Sequence, residues 1–171
     1  MSTKKIKILF RHRSMEMGGV EKVLLSLLNN LNKDRFDITV LLSIDQGELR
    51  NEIPAHVKKV VLAKGKESFS RNPFLQKLQL FVRKLKLDKL RRNPEIIDNR
   101  YLKDTFDIEI GMTYNDFEPV LNSSNKNSKK IGWFHSEIDL PKLQPLVPKI
   151  LRHFPQFDYM VYCSEKIMQI M

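Results

Sequence analysis

Residues 6–42 decide the fold, and they read IKILFRHRSMEMGGVEKVLLSLLNNLNKDRFDITVLL. Ile6–Phe10 and Ile38–Leu42 are short, nearly continuous apolar runs, which are typical of strands covered on both faces. Between them, Val20–Asn32 carries apolar residues at the 3.6-residue spacing of an amphipathic helix. A strand, a helix and a second strand in this order predict a right-handed βαβ unit with parallel strands.

The same alternation continues along the rest of the chain. Helical patterns occupy Phe74–Leu90 and Leu143–Phe154, with shorter helices at Phe117–Leu121 and at 167–171, and the polar stretches 64–72 and 122–130 are predicted to be exposed loops. Four more runs are typical of buried strands: Val57–Leu62, Ile108–Met112, Ile131–His135 and Tyr159–Cys163. We therefore expect an α/β, Rossmann-like three-layer domain with a mostly parallel sheet of about six or seven strands.

Composition excludes several classes of protein. The chain has 171 residues, of which 42% are hydrophobic and 29% charged, so it favours one folded domain over disorder. Its single cysteine, Cys163, allows no internal disulfide. No uncharged apolar run reaches the roughly 18–20 residues that span a bilayer, and the basic N-terminus lacks the apolar core of a signal peptide. We expect a cytoplasmic protein.

The net charge of +10 predicts an anionic partner, and much of this charge is local. Residues 74–92 hold seven basic residues and one aspartate. We expect Leu80 and Leu87 to lie among these charges, opposite a core-facing stripe formed by Phe74, Leu75, Leu78, Phe81, Val82 and Leu85. Such a helix suits an anionic membrane surface, so the protein would be peripheral at the inner face of the plasma membrane. A solvated charged face is the alternative, and nucleic acid ranks third because no nucleic-acid-binding motif accompanies the helix.

Three segments at the carboxyl ends of predicted strands could bind a ligand, since parallel sheets bind ligands at that edge. Gly18-Gly19 precedes a helix, where free N–H groups and close backbone approach suit a phosphate, although a simple tight turn gives the same pattern. His135 follows a strand beside the only tryptophan, which suits either a ligand contact or a structural role. Asn115 and Asp116 could bind sugar hydroxyls or cap the following helix.

Other chemistries find no support in the sequence. No two aspartates are separated by a single residue, and one cysteine with four scattered histidines gives no zinc spacing. No Gly-x-Ser-x-Gly nucleophile elbow occurs. We therefore predict no metal and no cofactor.

Three motifs, in this order along the chain, resemble those of family 4 (group 1) glycosyltransferases. They are the opening strand with Gly18-Gly19-Val20-Glu21 and its helix, the stretch Ile131–Ser136, and the stretch Phe157–Glu165. The resemblance covers nearly the whole chain and is weakest over residues 64–104. It implies a GT-B enzyme, with two Rossmann-like domains facing a cleft, that works without a metal and retains the anomeric configuration of the donor.

The resemblance also implies a division of labour between the two domains. The N-terminal domain of this family mainly binds the acceptor, and the C-terminal domain holds the nucleotide-sugar and carries a Glu-x7-Glu pattern. No two glutamates in this chain are eight positions apart. We therefore expect residues 1–171 to be the N-terminal, acceptor-side domain, with the nucleotide-sugar-binding domain absent from this chain.

Matched by position, the resemblance implies roles for individual residues. Gly18 and Gly19 would approach the donor diphosphate, and His135 would be catalytic, hydrogen-bonding the donor sugar near the reaction centre. Possible acceptor contacts are Arg11, Arg13, Asn115, Asp116 and Glu137. The acceptor would be a lipid-linked or cell-surface glycan precursor of polysaccharide biosynthesis, and the nucleotide-sugar would be a substrate, with no metal and no nucleic acid involved.

Two other function classes stay open. One is a non-enzymatic Rossmann-like module that binds a phosphorylated small molecule, and the other is a basic nucleic-acid-binding domain. Sequence beyond residue 171 that carries Glu-x7-Glu would favour the enzyme. We expect the chain by itself to transfer no sugar, because it lacks that half.

Overall fold

Six parallel strands form one sheet in the computed structural model, which describes residues 4–136, 138 and 140–170. The strand order is β3-β2-β1-β4-β5-β6, and every neighbouring pair is parallel. The strands are β1 (Ile6–His12), β2 (Phe36–Leu42), β3 (Lys58–Val61), β4 (Ile108–Gly111), β5 (Lys129–Phe134) and β6 (Tyr159–Tyr162). All six predicted strands are therefore confirmed, and the α/β Rossmann-like fold class with them.

Helices and short helical turns connect the strands. The helices are α1 (Gly19–Asn30), α2 (Pro73–Arg92), α3 (Pro94–Ile96), which continues into a π-helical segment (Ile97–Leu102), α4 (Tyr114–Leu121), α5 (Val147–His153) and α6 (Glu165–Ile170). The helix predicted over 143–154 is shorter than expected, because Gln144–Leu146 and Phe154–Gln156 form 3₁₀ turns at either end of α5. Each turn contains a proline, which has no N–H to donate to a helical hydrogen bond. Within the part of the chain that the structure describes, no helix is both long and apolar enough to cross a membrane.

The strand order places a switch point in the middle of the sheet. The chain builds outward from β1 to the edge strand β3, then returns through α2 and α3 to form β4 on the other side of β1. The connections that leave β1 and β4 therefore diverge, which opens a crevice at the carboxyl ends of these two strands. Gly18-Gly19, Asn115 and Asp116 all follow one of these two strands.

Apolar side chains cover both faces of the sheet. On one face, Ile8 and Phe10 of β1 pack with the buried leucines of α1. On the other face, Leu9 packs with Leu90 of α2 and with the π-helical segment. A third cluster joins α4, α5 and α6 to β5 through residues that include Phe117, Phe134, Ile150 and Ile167. The layers on both faces explain why the strands are nearly continuous in apolar residues.

The orientation of α2 is the reverse of the one predicted. Leu80 and Leu87 were expected to face away from the core, yet they are half-buried and line a cavity, and Leu87 packs against the core beside the buried Leu90. The predicted core-facing stripe is instead 46–76% exposed, at Phe74, Leu75, Leu78, Phe81, Val82 and Leu85. The helix carries apolar residues on two sides, and periodicity alone does not determine which side meets the sheet.

A buried carboxylate holds the centre of the sheet together. Glu109 of β4 is 0% exposed and accepts hydrogen bonds from Nε and Nη2 of Arg11 at 3.2 and 3.0 Å. Its other oxygen accepts one from Lys130 Nζ at 2.8 Å. Asp98, in the π-helical segment, accepts a further bond from Arg11 Nη2 at 3.0 Å. Two cations thus face two anions, and burial of all four side chains is balanced in charge.

Serines from the 122–130 stretch complete this network, so the prediction of an exposed loop there is wrong in part. The hydroxyls of Ser123 and Ser128 donate to Glu109 at 2.8 and 3.0 Å, and the backbone N–H and hydroxyl of Ser124 donate to Asp98 at 2.8 and 2.7 Å. Ser123 and Ser128 are buried for this reason. A buried carboxylate needs several donors, and short hydroxyl side chains supply them without adding charge.

Replacing Glu109 with glutamine should destabilise the fold. The substitution keeps the shape of the side chain but removes the carboxylate that pairs with both Arg11 and Lys130, so that Arg11 keeps Asp98 and Lys130 loses its ion pair. We expect the free energy of unfolding to fall by about 3–5 kcal/mol, as for other buried ion pairs that lose one partner. Urea denaturation followed by circular dichroism measures the change.

The matched control is Glu118→Gln. Glu118 pairs with Lys149 at 2.7 Å on the surface, where both side chains are exposed. Its loss should change the free energy of unfolding by less than about 1 kcal/mol. Equal effects of the two substitutions would contradict the central role of Glu109.

Candidate active site at the sheet edge

The loop after β1 is fixed against the loop after β2. Met15 is fully buried, its backbone N–H donates to the carbonyl of Gln46 at 2.9 Å, and its carbonyl accepts from Leu49 N at 2.9 Å. Gly47 has a φ of 103°, which favours glycine, and a Cβ there would collide with the backbone of Met15. The loop between β1 and α1 is therefore anchored at its middle.

A buried histidine connects the two strands at the switch point. His12 is 3% exposed, and its Nε2 lies 3.0 Å from Oε1 of Glu21 at the start of α1. Its Nδ1 lies 3.6 Å from Oδ2 of Asp116 in α4, a distance at which the two interact through charge. Burial lowers the pKa of His12, but the carboxylates of Asp116 and Glu21 outweigh burial and raise the pKa above 6.5. No motif in the sequence points to a functional role for His12.

Gly18 and Gly19 lie where β1 leads into α1, as predicted. A Cβ on Gly18 would meet the carboxylate of Glu21, so this glycine leaves room for the side chain that binds His12. A Cβ on Gly19 would meet nothing within 4 Å. The exposed backbone of Gly19 at the N-terminus of this 12-residue helix leaves space for a ligand to approach the free N–H groups.

His135 follows β5 and reaches the same edge. Its ring stacks on Trp133, with centroids 5.6 Å apart and planes 10° apart. Nε2 of His135 is buried and has no hydrogen-bond partner among the residues that the structure describes. Burial lowers the pKa of His135, the positive charge of His12 lowers it further, and the charge of Glu21 opposes both. His135 therefore interacts through charge with both His12 and Glu21.

A cavity of about 370 Å³ opens beside the switch point, between α2, the ends of β1 and β2, and the start of α4. Leucines of β2 and of the inner side of α2 supply much of its apolar surface, as Leu41, Leu80 and Leu87 illustrate. Its charged groups are mostly basic, and they include Arg11, Arg13, Arg83, Lys84 and Arg91. The cavity therefore suits a ligand with both apolar and anionic parts.

Four of the five predicted acceptor contacts line this cavity: Arg11, Arg13, Asn115 and Asp116. Most of the guanidinium of Arg11 is bound to Glu109 and Asp98, and its buried Nη1 has no partner within the described ranges. Asp116 accepts from the backbone N–H and hydroxyl of Thr113 at 3.1 and 2.7 Å, so it also caps α4. Glu137 lies outside the described residues.

The two histidines should titrate on opposite sides of pH 6.5. NMR of the ring protons against pH should give a raised pKa for His12 and a lowered pKa for His135, and Asp116→Asn should lower the pKa of His12. Because the pKa of His12 is raised on folding, its stabilising effect is complete below the unfolded pKa and is lost as pH rises through the folded one. Asp34→Asn, in the exposed turn after α1, is the control and should leave the pKa of both histidines unchanged. A His12 pKa below 6.5 would contradict the assignment.

Comparison with known proteins adds little to this geometry. No protein-family model matches the chain, and no curated protein matches it. Among solved structures, the chain is similar to UGT2 of Phytolacca americana complexed with UDP-2fluoro-glucose and pterostilbene, with a TM-score of 0.43 and 14% sequence identity. The similarity covers 86% of this chain and 36% of that one, so this chain spans about a third of the length of that protein.

Proposed function

We propose that this chain is the acceptor-side domain of a GT-B glycosyltransferase of family 4 (group 1), which moves a sugar from a nucleotide-sugar to an acceptor with retention of configuration and without a metal. The observation that carries the proposal is the meeting of Gly18-Gly19 and His135 at one edge of the sheet. Gly18 and Gly19 lie at the start of α1, His135 follows β5, and Glu21 both adjoins Gly18 and interacts with His135 through charge.

The donor side of the reaction would lie over the start of α1. The departing diphosphate gains negative charge in the transition state, and free N–H groups beside Gly19 can bind that charge. The sugar ring gains positive charge at the same time. A neutral His135 with an unpaired Nε2 could hydrogen-bond a sugar hydroxyl there, and its lowered pKa favours the neutral form.

The acceptor side would be the cavity beneath α2. It adjoins the donor side through Asp116, which lines the cavity and faces His12. Leucines and arginines line it together, which supports an acceptor that combines a hydrocarbon part with phosphate or carboxylate. A lipid-linked glycan precursor has this chemistry, and we propose that class over a neutral cell-surface glycan.

A second candidate is a non-enzymatic module that binds a phosphorylated small molecule. The buried Nη1 of Arg11, which has no hydrogen-bond partner among the described residues, favours it, since Arg11 is one of the residues that line a basic cavity large enough for a small ligand. The affinity of the isolated chain for phosphorylated ligands distinguishes the two functions. A binding module would hold such a ligand by itself, whereas the glycosyltransferase would hold its donor mainly through the second domain.

The isolated chain should bind nucleotide-sugars weakly. One helix N-terminus contributes about 1–3 kcal/mol to phosphate binding, whereas a micromolar site needs about 8 kcal/mol. Calorimetry against uridine, guanosine and thymidine diphosphate sugars should therefore give dissociation constants in the millimolar range or weaker, and no transfer. A micromolar constant would place the donor site within this chain and overturn the proposed division of labour.

His135→Ala should reduce turnover in the full-length enzyme by roughly 10²–10³-fold, the effect of losing one preorganised transition-state donor. The substitution removes Nε2 of His135, but it does not change the apolar core, so the variant should still fold. His56→Ala, at an exposed residue before β3, is the matched control and should leave turnover unchanged. Near-normal turnover in the His135 variant would falsify its catalytic assignment.

A further inference from the structure

The outer side of α2 presents an apolar stripe to solvent. Its six residues have 46–76% of their surface exposed, and they are Phe74, Leu75, Leu78, Phe81, Val82 and Leu85. The stripe runs for about 18 Å along the helix at 1.5 Å per residue. Six large apolar side chains together on one helix form a patch, unlike the single exposed hydrophobic residues that occur on most surfaces.

Basic residues border the stripe. At 100° per residue, Lys77 and Lys84 lie along one side of it, Lys86 lies on the other, and Lys89 and Arg92 continue past its C-terminal end. All five are exposed. The one acidic residue of the helix, Asp88, lines the cavity and by the same spacing lies on the side of Lys77 and Lys84. The stripe is therefore apolar in the middle, and the charges at its margins are mostly positive.

The inner side of α2 is anchored independently of the stripe. Leu87 and Leu90 pack on the sheet, and Arg83 donates to the carbonyl of Lys64 at 3.3 Å and lies over the ring of Phe69 at 5.3 Å. Asn72 caps the helix by accepting from the backbone N–H groups of Phe74 and Leu75. A helix held in this way keeps its outer side accessible without needing a further protein layer for its stability.

We infer that α2 docks this protein on an anionic lipid membrane, with the stripe inserted at the headgroup boundary and the lysines on the lipid phosphates. Apolar residues flanked by lysines match an interfacial helix, because the apolar side chains enter the acyl boundary while the cations remain at the headgroups. The lysines beside the stripe and the basic residues at its C-terminal end complement a negatively charged surface. This docking is independent of the proposed glycosyl transfer.

Vesicle co-sedimentation of the 171-residue chain tests the inference. We expect binding to vesicles of equal parts phosphatidylcholine and phosphatidylglycerol, weaker binding as salt rises, and no binding to phosphatidylcholine alone. The double substitution L78Q/F81Q should weaken partitioning at least about tenfold, since both side chains lose their apolar contact with lipid. K77Q/K84Q should weaken partitioning by about twenty-five-fold, because each lysine contributes about fivefold.

Matched controls come from elsewhere on the surface. L146Q/L151Q removes two exposed leucines around α5, and K33Q/K126Q removes two exposed lysines from loops, so neither should change partitioning. Circular dichroism should show that every variant is folded, because all the substituted residues are exposed. Equal binding to neutral and anionic vesicles, absence of binding to both, or control variants as weak as the α2 variants would each overturn the inference.

The alternative to lipid binding is that a second copy of the chain covers the stripe. Sedimentation velocity should show a monomer at micromolar concentration for both the unmodified chain and L78Q/F81Q. A dimer that L78Q/F81Q dissociates, with no vesicle binding, would show that a second copy covers the stripe instead of lipid.

Discussion

The rest of the structure depends on the burial of Glu109 between Arg11 and Lys130. A carboxylate in the middle of a fully covered sheet is unfavourable unless cations and donors reach it from its neighbours. Those cations come from β1 and β5, the strands on either side of β4, so the network ties the three central strands together across the switch point. Asp98 extends the same network to the π-helical segment, which lies between β3 and β4 along the chain.

This network also determines which charged side chains at the sheet edge remain without a neutralising partner in the core. Two carboxylates largely neutralise the charge of Arg11, and its Nη1 amino group has no hydrogen-bond partner among the described residues. The charged groups that interact with one another at this edge are instead His12 and the two carboxylates on either side of it, Asp116 and Glu21. Because His12 is linked to both carboxylates, its charge state affects the cavity side and the α1 side together.

The sequence predicted the strands and the sheet edge that follows them because both depend on local patterns. Apolar runs predict buried strands, and parallel strands place their carboxyl ends together, so Gly18 and His135 could be assigned to one edge. The serines after α4 were misassigned to an exposed loop because hydroxyl side chains suit both solvent and a buried carboxylate. The signal was Glu109 itself, an acid within an apolar strand, which requires donors from nearby segments.

The two sides of α2 show why periodicity could not fix its orientation. Leu80, Leu87 and Leu90 form one apolar line and the Phe74–Leu85 stripe forms another, so the pattern predicts a helix with two candidate buried sides. The tertiary contacts decide between them: Leu87 and Leu90 meet the π-helical segment that leads back to β4, whereas the wider stripe meets no protein layer among the described residues. The helix therefore has two distinct surfaces. Its inner residues line the cavity, and its outer residues are exposed to solvent. Because only Lys84 and Asp88 lie at the border of the two sets, substitutions in the stripe can test the proposed docking without changing most of the residues of the proposed ligand cavity.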